Sequence, residues 1–321
     1  MPLRLATFNL ESLDYDPADP GWFEARAAVL RGVLAALQAD VLCLQEVNAQ
    51  RRPGEPQRAL LALRKLMEGS VCAGFHLVHS LRPGGPGPAD VHNLAILSRW
   101  PITAHGQIHH DLVPPLRWTP LHGGEPVDLT FDRPILHARI EPPGEAPLHL
   151  LNLHLRAPRA AILPGGREGG RKGGGWRSLS HWAEAYHLAG LKRQGQALEA
   201  RLFVERLFDA DPWARIAVCG DLNADAFEAP TRILQALPED METADFAARA
   251  LHPLERRMAP ERRFTVVHDG RPVLLDHILA SSGLAAACRD LRILNTNLAD
   301  EAHVDAPVKG SLHAPILALF G

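Results

Sequence analysis

Val41-Leu42-Cys43-Leu44-Gln45-Glu46 is a continuous apolar run that stops on an amide and a carboxylate. Four consecutive apolar residues fit a strand covered on both faces, and a charge directly behind them must leave the core abruptly. The same grammar recurs along the chain. Leu3 to Leu10 reads as a strand with Asn9 near its end, and further strands are expected at Asn93–Ser98, Ile135–Ile140, Leu148–Leu155, Ile216–Cys219, Val273–Leu279 and Ala314–Phe320. Two stretches carry helical spacing instead. Between Glu24 and Gln38 it is Val29, Leu30, Val33, Leu34 and Leu37; between His181 and Phe208 it is Leu188, Leu191, Leu198, Leu202 and Phe203. Many strands with few helices predict sheets packed face to face with helices outside. No repeat or composition shift divides residues 1–321, so one domain is expected.

Of 321 residues, 46% are hydrophobic and 22% charged, which excludes a disordered, collagen-like or coiled-coil chain. The net charge of −3 excludes a globally basic nucleic-acid coat but not a local basic groove. One such place is residues 156–177. Arg156, Arg159, Arg167, Arg171, Lys172 and Arg177 face Glu168 alone there, a local charge of +5 in a glycine-rich, loop-like insertion. A second loop is expected at Arg82–Pro88. The N-terminal residues show no basic segment followed by an apolar one, and no run is long enough to span a membrane, so a cytoplasmic protein is expected. Cys43, Cys72, Cys219 and Cys288 form no CxxC pair, which fits reduced, buried thiols and argues against zinc.

The chemistry concentrates where strands end. These residues are Asn9, Glu46, His154, Asp221 and Asn223 in Gly220-Asp221-Leu222-Asn223, Asp276 in Leu275-Asp276-His277, and His313 in Ser311-Leu312-His313. Each has an ordinary reading alone: Asn9 as a turn former, Asp221 as a cap, His154 as a core histidine. Together they offer carboxylate and amide oxygens suited to Mg²⁺, Mn²⁺ or Ca²⁺, and two histidines able to move protons near neutral pH. Phosphoester hydrolysis needs those parts.

In order, Thr-Phe-Asn-Leu at residue 7, Leu-Gln-Glu-Val, Asn-Leu-His-Leu, Gly-Asp-Leu-Asn, Leu-Asp-His-Ile-Leu and a final His-Ala-Pro ending at residue 315 resemble the endonuclease/exonuclease/phosphatase superfamily. The resemblance implies a four-layer α/β sandwich of two mixed β-sheets, as in deoxyribonuclease I. It implies Glu46 as principal metal ligand with Asn9 beside it, and Asp221 orienting or deprotonating the attacking water. Asn223 would hold a phosphate oxygen, His313 paired with Asp276 would be a general base, and His154 would stabilise or protonate the other side of the phosphate. Arg133 sits where relatives place a phosphate-contacting arginine. Repair endonucleases for abasic sites carry a lysine soon after the glutamate and a tyrosine where His154 stands; here Glu46 is followed by Val47-Asn48-Ala49, so the deoxyribonuclease I-like branch fits better.

One departure stands out. Relatives end in Ser-Asp-His, whereas this chain has Ser311-Leu312-His313, and leucine cannot ligate a hard cation. Asp300, Glu301 and Asp305 are the upstream carboxylates considered as substitutes, and Asp90 is considered as a partner for His154. The leading expectation is a Mg²⁺-dependent phosphodiesterase, a nuclease on DNA or RNA, with no protein partner. Alternatives are a phosphomonoesterase or small-molecule phosphodiesterase, and a catalytically degenerate binding protein whose sole support is Leu312.

Overall fold

The computed structural model describes residues 2–52, 54–161, 175–240 and 243–321. Most of the expected glycine-rich insertion, residues 162–174, lies outside the described residues.

Two six-stranded sheets form the centre. The first runs in the order Cys288–Ile293, Ile316–Phe320, Leu3–Leu13, Val41–Val47, Asn93–Ser98, His76–His79. The second runs Leu251–Pro253, Asp276–Ser281, Arg215–Asp221, Leu148–His154, Ile135–Ile140, Ile102–Ile108. Each sheet is mixed, with one parallel pair at its middle: Leu3–Leu13 beside Val41–Val47, and Leu148–His154 beside Arg215–Asp221.

Period-two alternation assigns the layers. Leu3, Leu5, Val41 and Cys43 of the first sheet meet Leu148, Leu150, Ala217, Cys219, Ile278 and Ala280 of the second in one core between the sheets. The intervening residues Ala6, Phe8, Leu10, Leu42 and Leu44 face outward, onto Phe23, Ala27, Leu30 and Leu34 of helix Pro20–Leu37 and Leu63 and Leu66 of helix Leu61–Glu68. Leu151, Leu153, Ile216 and Val218 likewise pack on Ala197, Ala200, Val204 and Phe208 of helix Leu179–Ala210. The result is the expected sandwich, helix–sheet–sheet–helix.

Several expectations shift. The helix expected from Glu24 begins at Pro20, because Asp19 accepts from the Trp22 N–H and proline suits the first turn. On the long helix Leu188 is buried and Leu191 and Phe203 pack against core residues as expected, but part of the stripe differs. Leu198 and Leu202 are exposed, while small Ala197 and Ala200 let the helix approach the sheet. The strand expected at Val273–Leu279 is two pieces: Arg271–Val273 pairs with Val266–His268, and Asp276–Ser281 joins the second sheet. Between them the Thr265 hydroxyl accepts from the N–H groups of Leu275 and Asp276, turning the chain. All four cysteines are buried and free. Among the described residues no helix is long and apolar enough to cross a membrane.

Candidate active site

The rows of side chains that fill the core between the sheets turn polar two residues further on. Leu3 and Leu5 are followed on that face by Thr7 and Asn9, Cys43 by Gln45, Leu150 by Asn152 and His154, and Cys219 by Asp221. Strand register aligns them: Asn9 lies opposite Gln45, His154 opposite Asp221, and Asp221 opposite Asp276. The polar mouth is therefore the continuation of the hydrophobic core. Its floor is a fully buried amide network. Gln45 Nε2 donates to Asn152 Oδ1 at 2.7 Å and to Thr7 Oγ1 at 3.1 Å, and Asn152 Nδ2 donates to the carbonyls of Leu44 and Ala95.

Glu46 breaks the alternation, which would send it toward the helices. The pairing with the neighbouring strand slips between Leu44 and Val47, and Glu46 takes φ +58°. That bulge brings its carboxylate into the mouth. A second irregularity between Asn9 and Leu13, with Glu11 and Ser12 at φ +50° and +55°, lets the Ser12 N–H and hydroxyl both donate to Glu46 Oε2, at 3.0 and 3.1 Å. Asn9 Nδ2 donates to Asp221 Oδ2 at 3.0 Å and to Glu46 Oε1 at 3.4 Å. His154 Nε2 lies 3.5 Å from Asp221 Oδ2 and 3.7 Å from Glu46 Oε1. Gly220 makes this approach feasible. Its φ is +137°, and a Cβ there would sit 1.9 Å from the Leu153 carbonyl oxygen.

Asp221 Oδ1 accepts the Asn223 N–H at 2.8 Å, while Asn223 Nδ2 donates to the Leu155 carbonyl. On the adjoining strand Asp276 Oδ2 is 2.8 Å from His313 Nδ1, and Asp276 Oδ1 is buried without a partner. Arg133 donates to the His154 carbonyl at 2.9 Å and to His92 Nδ1 at 3.2 Å, and the His92 and His154 rings stack 6.1 Å apart. All eight residues read from the sequence are thus near this mouth. Gln45, Asn152, Ser12 and His92 were missed. The first two follow from extending the alternation past the last apolar residue, whereas His92 has no sequence signal.

Charges here are strongly coupled. Burial and the negative charge of Asp276 raise Asp221 to about 7. Burial, then the positive charge of Arg133, holds His154 well below the ordinary histidine value, so its ring is neutral. Burial would also lower His313, but the charge and hydrogen bond of Asp276 override it and lift His313 to about 10. Asp90 is not a partner for His154: it pairs with Arg58 at 2.7 Å, and His154 Nδ1 is buried with no partner.

The donor set can hold a divalent cation. Glu46, His92 and His154 offer ligand atoms within 4.8 Å of one another, as do Asp221, Asp276 and His313. An unpartnered buried carboxylate oxygen on Asp276, and a raised Asp221 beside it, are what a missing positive charge leaves behind. Two of the proposed replacements for the Leu312 position are committed elsewhere. Asp300 accepts from the N–H groups of Asp269, Gly270 and Ala302, and Glu301 binds His268 at 2.6 Å.

Residues 6–297 match the model of the Endonuclease/Exonuclease/phosphatase family. No curated protein sequence matches the chain significantly. Among solved structures, an endonuclease/exonuclease/phosphatase from Bacteroides vulgatus is 14% identical with a TM-score of 0.58, covering 100% of this chain and 99% of that one. An AP endonuclease from Archaeoglobus fulgidus is 18% identical with a TM-score of 0.53, covering 99% of both chains. A 3′ phosphatase from Neisseria bound to a product DNA hairpin is 20% identical with a TM-score of 0.54, again over 99% of both. At these identities the likeness is one of fold, and proteins of different activity share it.

Proposed function

The chain belongs to the endonuclease/exonuclease/phosphatase family, and from that premise we propose that it is a divalent-metal-dependent phosphodiesterase, a nuclease of the deoxyribonuclease I-like kind acting on DNA or RNA. One observation carries the reading: Asn9, Glu46, His154 and Asp221 converge within 3.0–3.7 Å at the ends of the two parallel strand pairs, beside the Asp276–His313 pair.

In this reading Glu46, gripped by Ser12, is the principal ligand for Mg²⁺ or Mn²⁺, with Ca²⁺ as a third possibility, and Asn9 sets its position against Asp221. When bound, the ion supplies positive charge where negative charge builds on the phosphate oxygens. Asp221, held by the Asn9 amide and the Asn223 N–H, orients the attacking water and accepts its proton. His313, protonated through Asp276, holds a positive charge against the phosphate rather than accepting the first proton. Neutral His154 presents an Nε2–H to a phosphate oxygen, and Asn223 contributes its remaining amide N–H. Arg133 braces the His154 backbone and adds its field to the phosphate site. Arg156 and Arg159, just past His154, and Arg177 are the described basic residues of the segment proposed to face the nucleic-acid backbone.

The test is hydrolysis of an activated phosphodiester and of supercoiled plasmid with Mg²⁺, Mn²⁺ or EDTA. The expected result is metal-dependent cleavage of both, falling by orders of magnitude in Asp221→Ala and in His154→Ala. Cleavage of small esters alone refutes the nuclease reading, and no cleavage with any ion refutes the enzyme reading.

A further inference from the structure

The irregularity that brings Ser12 to Glu46 is itself held from outside the sheet. Strand Leu3–Leu13 pairs with Val41–Val47 as far as Asn9 and again at Leu13, so that ladder skips residues 10–12. On its other side the pairing with Ile316–Phe320 ends at Thr7. Within the skipped stretch Glu11 and Ser12 hold two successive positive φ angles, a conformation that persists only where the surroundings fix it. Arg26 does so. Its Nη2 donates to the carbonyls of Leu10 at 2.5 Å and Glu11 at 2.7 Å, and its Nη1 donates to the Ser12 carbonyl at 3.2 Å. Helix Pro20–Leu37 fixes the arginine in turn, because Phe23, Ala27 and Leu30 around it are packed into the core against the first sheet.

Arginine is a costly residue for packing alone. Arg26 is 7% exposed, its hydrogen bonds go to neutral carbonyls, and its Nε is buried with no partner. Burying a guanidinium in this way is unfavourable, and an apolar residue would serve the contact between helix and sheet better. What arginine adds is a planar fork that holds three consecutive carbonyls at once. The last of these belongs to Ser12, whose N–H and hydroxyl both grip Glu46 Oε2. We propose that Arg26 is a positioning residue for the hydrolytic site: by locking residues 10–12 it holds Glu46, through Ser12, facing His154 and Asp221. The proposal rests on the reading of Glu46 as the metal ligand.

The test is Mn²⁺ binding to the metal-free full chain by calorimetry, with the melting temperature recorded beside it. The variants are Arg26→Ala, Arg26→Lys, Ser12→Ala, the double substitution Arg26→Lys with Ser12→Ala, and Glu46→Gln as control. Arg26→Ala and Ser12→Ala should each weaken Mn²⁺ binding about 10-fold or more. Both act on Glu46 by one route, so the double substitution should bind no more weakly than Ser12→Ala alone. Methylguanidinium at non-denaturing concentration should restore binding in Arg26→Ala and leave Ser12→Ala unchanged. Arg26→Lys keeps a donor for the carbonyls and should fold, with an affinity between those of the parent and Arg26→Ala; it carries the comparison if Arg26→Ala does not fold. A lowered melting temperature with parent-like Mn²⁺ affinity in the Arg26 variants, when Glu46→Gln has lost binding, overturns the positioning role and leaves the metal reading intact. Losses that multiply in the double substitution overturn the route through Ser12. A parent chain that binds no Mn²⁺ overturns both the role of Arg26 and the metal reading.

Discussion

Replacing Asp276 by Asn should convert His313 from a permanent cation into an ordinary titrating histidine. The Asp276 Oδ2 to His313 Nδ1 distance is 2.8 Å, and both side chains are largely buried. At an effective dielectric of about 20, opposite charges that close attract by roughly 6 kcal/mol, about 10⁴-fold in proton affinity. Burial works the other way, which is why His313 settles at about 10. In Asp276→Asn that attraction is gone while burial and the weaker pull of Asp221 and Glu46 remain, so His313 should titrate well below 10. The assay is the pH dependence of the His313 imidazole resonances, assigned by difference with His313→Gln and recorded in EDTA. Stability gives a second check. A histidine raised in the folded state contributes stability that is complete below 6.5 and is lost as pH climbs through about 10. The difference in unfolding free energy between parent and Asp276→Asn should therefore shrink across that window. A parent His313 that titrates within one pH unit of 6.5 refutes the reasoning, and so does a His313 left near 10 in Asp276→Asn.

Gly220→Ala forces a Cβ to 1.9 Å from the Leu153 carbonyl oxygen at φ +137°, so it should cost about 3 kcal/mol or more, or prevent folding; a urea midpoint close to the parent's contradicts that contact. Asn152→Ala removes its buried hydrogen bonds to the carbonyls of Leu44 and Ala95 and from the Gln45 amide, a predicted loss of about 2–4 kcal/mol in chemical denaturation. His137 is lowered to about 4 by burial and then by neighbouring His149, so it stays neutral when folded. The unfolded chain takes up that proton first, and stability should fall as pH drops from 6.5 toward 4. The histidine accounts for roughly 3 kcal/mol, and urea titrations of His137→Gln should show a shallower acid limb.

The layers were legible because the central strands obey one rule, apolar residues covered on both faces. Val41–Val47, Asn93–Ser98 and Leu148–His154 stood out as apolar runs for that reason, whereas Ile135–Ile140 alternates with His137 and Arg139. Edge strands obey no such rule. Ile102–Ile108 is mostly exposed and reads as Ile-Thr-Ala-His-Gly-Gln-Ile, so nothing in its pattern separates it from a loop. On the long helix, leucine spacing held at Leu188 and Leu191 but failed at Leu198 and Leu202. Bulk attracts the eye in a sequence, but the close approach to the sheet selected alanines, and tertiary packing overrode the leucine pattern.

The site was legible where strand periodicity carries it and hidden where the backbone abandons periodicity. Asn9, Asn152, His154 and Asp221 are each two residues beyond a core position or four, so alternation alone delivers them to one mouth. Glu46, Glu11, Ser12 and His92 all have positive φ, a conformation that non-glycine residues pay for and that a one-dimensional pattern does not display. Two of these, Glu11 and Ser12, sit within an unremarkable Leu-Glu-Ser-Leu sequence. The carboxylate that accepts the Leu312 N–H likewise comes from Glu11, at the opposite end of the chain, where no local pattern points to it.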